Sequence, residues 1–190
     1  MLVLAHAGIT LGAATLLAGA VQYRHEPKRS RISWFATLSK YIDIRILLIG
    51  SLLPDIIDKP VGQYFFRETF SYGRIYAHTL LFLVIITAVG FYLYRSYRQV
   101  WLITLAFGTF IHIVLDEMWL TPRTLFWPFM GFAFDRADLT DWLLMIWQSI
   151  FKYPEVFIPE LVGLLIILWF GITLIVRRRM GTFIRYGKSY

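Results

Sequence analysis

The chain has 190 residues, of which 58% are hydrophobic and only 16% charged, with a net charge of +7 and no cysteine. An ordinary soluble domain is roughly 25% charged, so this chain lacks the polar surface to cover a globule in water, and its mean hydropathy of +0.61 points to a bilayer. Without thiols, disulfide frameworks, cysteine-based zinc ribbons and thiol catalysis are excluded.

A hydrocarbon layer about 30 Å thick takes roughly 20 apolar residues per helix. The first such stretch is 2–21. Ala18-Gly19-Ala20 has the form of a signal cleavage site, but the long apolar run and the lack of a positive n-region read as a retained span. Residues 42–57 (IDIRILLIGSLLPDII) follow as a shorter span, kinked by Gly50 and Pro54 and packed inside a bundle. Further spans are expected at 75–94, 100–120 and 156–176. Residues 137–153, apolar on one face with Trp142 and Trp147, predict a helix lying along the membrane interface, and the Phe-, Trp- and Pro-rich stretch 121–134 flanks the same surface. The expected fold is all-α: one polytopic membrane domain over 1–190, a bundle of about five transmembrane helices plus an interfacial amphipathic helix.

Lysine and arginine bias sets the orientation. Five spans, with Arg45 counted beside the 22–41 loop, the 95–99 turn and the C-terminal tail, gather 13 of 19 basic residues on one side against only Glu26 and Asp43. The other side holds 6 basic and 10 acidic residues, a split of +11 against −4. The basic face is predicted to be cytoplasmic, with the N-terminus outside, in a multi-pass protein of the cell (inner) membrane. Contact with anionic lipid accounts for the basic excess, so no nucleic-acid partner is expected.

Ionisable residues inside spans are costly and usually functional. Here they are His6, Asp55, Asp58, His78, His112 and Asp116, and the alternating spans bring all of them to the outer leaflet. His112 and Asp116 share a helical face at i,i+4 and can grip one metal ion. Asp55 and Asp58 pair at i,i+3 if the helix continues past Pro54. Imidazole and carboxylate donors suit Zn2+, with Mn2+ or Fe2+ as competitors. Arg74, four residues before His78, would share its face in a helical start and suits an anionic substrate oxygen, or else forms a salt bridge with Asp55, Asp58 or Glu68. Glu117 points about 100° away from Asp116 on a helix and reads as an outer group. Glu160 reads as a first-turn residue of the last span. Each of these residues also has a bland reading, a buried hydrogen bond between helices.

The segments GSLLPDIID, RIYAHTLLF, HIVLD and LFWPF, following His6, resemble the YdjM-like family of predicted membrane-bound metal-dependent hydrolases over roughly residues 1–130. Asp58 stands three residues after Asp55 where that family spaces its aspartates by two, and Ile75 and Ala77 replace a glycine and a threonine. The family is distantly similar to the zinc-dependent phospholipase C and single-strand nuclease clan. That likeness implies one ion held by Asp55, His78, His112 and Asp116. It implies a second on His6 and Asp116, with the amine of Met1 as a further donor.

The resulting expectation is hydrolysis of a phosphoester in a membrane lipid or lipid-linked head group, with metal-activated water as nucleophile. A second ion or Arg74 would stabilise the phosphoryl charge, and Asp58 or Glu117 would accept the proton. Two alternatives stay open: a metal-clamped scaffold without activity, and an ion or proton transporter.

Overall fold

The computed structural model describes residues 2–25, 34–70, 73–134, 147–149 and 152–189. Among them every regular element is a helix, with no strand. The long elements are α1 (Val3–His25), α2 (Trp34–Tyr41), α3 (Ile44–Pro60), α4 (Leu80–Tyr97) and α5 (Trp101–Leu115). A single turn, α6 (Pro122–Leu125), precedes α7 (Pro154–Val176) and α8 (Met180–Tyr186). A wide turn at Val61–Phe65 extends α3.

α1, α4 and α7 are long and apolar enough to cross a membrane, and α5 is a shorter apolar helix. α3 has 17 residues and carries Arg45, Asp55, Asp58 and Lys59. Two expected boundaries move: the stretch from 75 becomes helical only at Leu80, and the stretch to 120 stops being α-helical after Leu115. The expected interfacial helix at 137–153 lies largely outside the described residues.

Local chemistry explains the helix starts. Asp43 caps α3, its Oδ1 accepting the Arg45 N–H at 2.9 Å, and Thr79 caps α4, its hydroxyl accepting the Phe82 N–H at 3.0 Å. Pro54 does not end α3, but a proline has no N–H to give to the carbonyl four residues back. That carbonyl belongs to Gly50, and the Thr109 hydroxyl of α5 donates to it at 3.2 Å. A neighbouring helix thus satisfies the group that proline frees, which hydrocarbon surroundings require.

The bundle is built on two backbone-to-backbone crossings. α3 and α5 meet at Gly50 and Gly108; a Cβ at 108 would stand 2.6 Å from Leu47 O and 2.6 Å from Ser51 N. α1 and α7 meet at Gly8 and Gly163, where a Cβ on either glycine would run into the other helix's backbone. Small residues allow this approach, as at other membrane helix interfaces. The apolar core around Leu11, Phe35, Leu47 and Phe170 fills one half of the bundle. At that end the chain's last residues are fastened: Gly187 O accepts the Ile44 N–H at 3.2 Å, and Arg45 Nη1 donates to Ile184 O at 2.7 Å. Arg45 therefore sits with the C-terminal tail. His6, His78 and His112 occupy the other half.

Candidate metal centre

Four segments of the chain meet at one end of the bundle. The N-terminal turns of α1 bring His6, the C-terminal turns of α3 bring Asp55 and Asp58, the segment before α4 brings His78, and the end of α5 brings His112 and Asp116. Asp116 ends α5, its N–H still bonded to His112 O at 2.9 Å. His6, His78 and His112 are completely buried. Two triads have ligand atoms within 4.8 Å of one another: His6, His112 and Asp116, and Asp55, His78 and His112. His112 belongs to both.

The imidazole protons can be assigned from what each nitrogen faces. His112 Nδ1 lies 2.7 Å from the Ser51 carbonyl oxygen, an acceptor only, so Nδ1 carries the proton. His78 Nδ1 lies 2.7 Å from Asp58 Oδ2, and that carboxylate already accepts the backbone N–H groups of Ile75 at 2.7 Å, Ala77 at 3.0 Å and His78 at 3.2 Å. It is an acceptor surrounded by donors, so His78 Nδ1 donates too. With both rings neutral, both Nε2 atoms present lone pairs, and they face each other at 3.2 Å. Two buried lone pairs so placed repel unless a positive charge lies between or beside them.

The carboxylates flank that pair. Asp55 Oδ1 is 3.7 Å from His78 Nε2 and 3.9 Å from His112 Nε2; Asp116 Oδ2 is 3.8 Å and 3.9 Å from the same atoms. His6 stacks on His112 with ring centroids 4.0 Å apart. Its Nε2 is 3.1 Å from Asp116 Oδ1, yet the alignment fails, and neither ring nitrogen has a hydrogen-bond partner among the described residues. Orphaned buried imidazole nitrogens, facing lone pairs and two carboxylates are a donor set that fits a divalent cation with nitrogen and oxygen ligands. Tethering Nδ1 to a carboxylate or a carbonyl is also how metal-binding histidines are generally oriented.

Several placements differ from expectation. His78 is not in a helix: it precedes the Thr79 cap, and Asp58 holds it through the backbone of 75–78. Arg74 does not share a helical face with His78, and its ion pair is with Asp116, Nε to Oδ2 at 2.9 Å. Asp55 and Asp58 are both on α3, as the i,i+3 reading required, but they point to different tasks. Asp55 faces the imidazoles, while Asp58, fully buried, stands behind His78. Glu117 is exposed, with a left-handed backbone at φ 51°. Met1 lies outside the described residues.

One contributor was missed. Glu160 of α7 is buried and its Oε1 accepts the Leu2 N–H at 2.7 Å, fixing the start of the helix that carries His6. The available signal was an acid within an otherwise apolar run.

Asp58→Asn should lower divalent-metal affinity by about 10- to 100-fold, the usual cost of losing an outer partner of a ligating histidine. Zinc titration against a competing chelator measures it; unchanged affinity would remove Asp58 from the centre.

The family model described as YdjM inner membrane protein matches residues 1–180. The chain belongs to that family. As a YdjM-family member it is an inner membrane protein. The match runs well past residue 130, where recognisable segments give out, and takes in α7 with Glu160 and Gly163. No curated protein and no solved structure matches this YdjM-family chain.

Proposed function

We propose that this chain is a metal-dependent hydrolase acting on a phosphoester of a lipid or lipid-linked head group at the outer leaflet. The observation that carries the reading is the Nε2–Nε2 approach of 3.2 Å between His78 and His112, each with its Nδ1 tied to an acceptor. His6, Asp55, His78, His112 and Asp116 would hold one or two divalent cations, Zn2+ first and Mn2+ or Fe2+ as competitors. When bound, such a cation supplies Lewis acidity and lowers the pKa of water toward about 7.

The chain's own groups do the rest. Ser51 O and Asp58 keep the Nδ1 protons in place, so the Nε2 lone pairs stay aimed into the centre. Asp58 has both oxygens taken by donors from 75–78, so it acts by orienting His78 rather than by accepting a proton. Arg74 spends Nε on Asp116 and leaves guanidinium nitrogens for phosphoryl oxygens.

A lipid-borne substrate is favoured by the setting. Tyr76, between two of the N–H groups bound to Asp58, packs its ring against Trp127 at 5.3 Å and Phe134 at 5.1 Å, and Phe129 and Phe132 nearby are more than three-quarters exposed. Aromatic side chains in such numbers mark the head-group level of a bilayer.

The test is purified protein in lipid nanodiscs with zinc. Wild type should turn over lipid phosphoesters, and His112→Ala should be slower by at least about 100-fold, the scale of losing one preorganised electrostatic contact. Absence of turnover, or equal rates, overturns the reading. Complete burial of the three histidines favours the metal-clamped scaffold as second reading; there, stripping the metal lowers the melting temperature with no activity to lose.

A further inference from the structure

Lys59 has no part in the ligand sets above, yet it stands beside them. Continuation of α3 past Pro54 puts it one turn after Asp55, and its Nζ meets Asp55 Oδ2 at 2.6 Å. Asp55 therefore turns one oxygen to the imidazoles and the other to a lysine. Across the imidazole pair, Asp116 is paired with Arg74 through the same Oδ2 that faces the imidazoles. The two cations are also neighbours along one rim. The Lys59 stem packs against Gly73, next to Arg74, so closely that a Cβ at 73 would lie 3.3 Å from Lys59 Cγ and 2.7 Å from Gln63 Nε2. Both side chains are partly open, 40% exposed for Lys59 and 33% for Arg74, whereas the histidines they border are fully buried.

Charge balance gives this rim a purpose. Asp55, Asp58 and Asp116 against Lys59 and Arg74 leave one net negative charge. One divalent cation reverses the sign, and a second would leave a larger positive excess. A loaded centre at membrane depth then needs an anion, and the groups able to reach outward for it are the two half-exposed cations.

We propose that Lys59 and Arg74 form a two-point clamp for a tetrahedral oxyanion of the phosphate class, with Lys59 as its unassigned half. This deepens the hydrolase reading and rests on the metal-loaded centre. Lysine serves as a mobile point charge and arginine as a fixed fork, so together they suit a phosphate group presenting more than one free oxygen.

The probe is inorganic phosphate, with binding to zinc-loaded protein in phosphatidylcholine nanodiscs read by 31P line broadening. Lys59→Met and Arg74→Met should each weaken binding by about tenfold or more. Lys59→Arg should retain most of it, and metal content in Lys59→Met should match wild type. Addition of phosphatidic acid to the nanodiscs separates the two sources of the anion. Competition with phosphate identifies a lipid head group, lack of competition a free phosphate, and either supports the clamp. Equal affinity in Lys59→Met and wild type overturns it, as does zinc-loaded wild type that ignores phosphate. If phosphate binds with these dependences and no phosphoester is turned over, the clamp stands and the hydrolase reading falls.

Discussion

His112→Ala is expected to abolish metal binding at both triads, with affinity lowered by well over the roughly 100-fold seen when only an outer partner is lost. The reason is topological: His112 is the one residue common to the His6–Asp116 set and the Asp55–His78 set. His6→Ala touches one triad only and should leave the Asp55–His78–His112 group able to hold an ion. Elemental analysis of the purified proteins checks the order: one or two ions in wild type, at most one in His6→Ala, none in His112→Ala. Metal-free wild type, or equal loading in His112→Ala, would remove the centre altogether.

Gly108→Val is the second large effect. Its first added carbon would stand 2.6 Å from backbone atoms of Leu47 and Ser51, which have no freedom to swing aside. Overpacking of this kind costs about 1–3 kcal/mol even where side chains can adjust; at a backbone crossing the upper end applies. The substitution should lower the melting temperature in detergent, and it should also weaken metal binding, because separating α3 from α5 draws Ser51 O away from His112 Nδ1. Gly171→Val is the control: a Cβ there meets nothing within 4 Å, and neither property should change. If the two variants melt alike, the crossing does not hold the bundle as described.

The helices and the convergence of His6, Asp55, His78, His112 and Asp116 were readable because apolar length and the rarity of charge in such stretches are direct signals. Alternation of helix direction then brings the ends together. What was not readable depends on single atoms. The placement of His78 turns on Thr79 acting as a cap, a threonine whose neighbours also fit a helix interior. The role of Asp58 turns on which way a carboxylate faces across a loop, and that of Ser51 on a carbonyl, which every residue has. Glu160 was visible as an anomaly, but its partner is a backbone N–H at the far end of the chain, and no periodicity reports that. The Arg74–Asp116 pair joins two segments whose spacing carries no pairing information.

The grip of Asp58 on residues 75–78 also divides the centre along the chain. In chain order, α3 and the residues up to Thr79 already contain every group that orients the His78 ring. Its counterpart His112 comes only with α5, one helix later in the chain. A chain ending before α5 would lack His112, the residue common to both triads, and with it the shared ligand of the proposed centre.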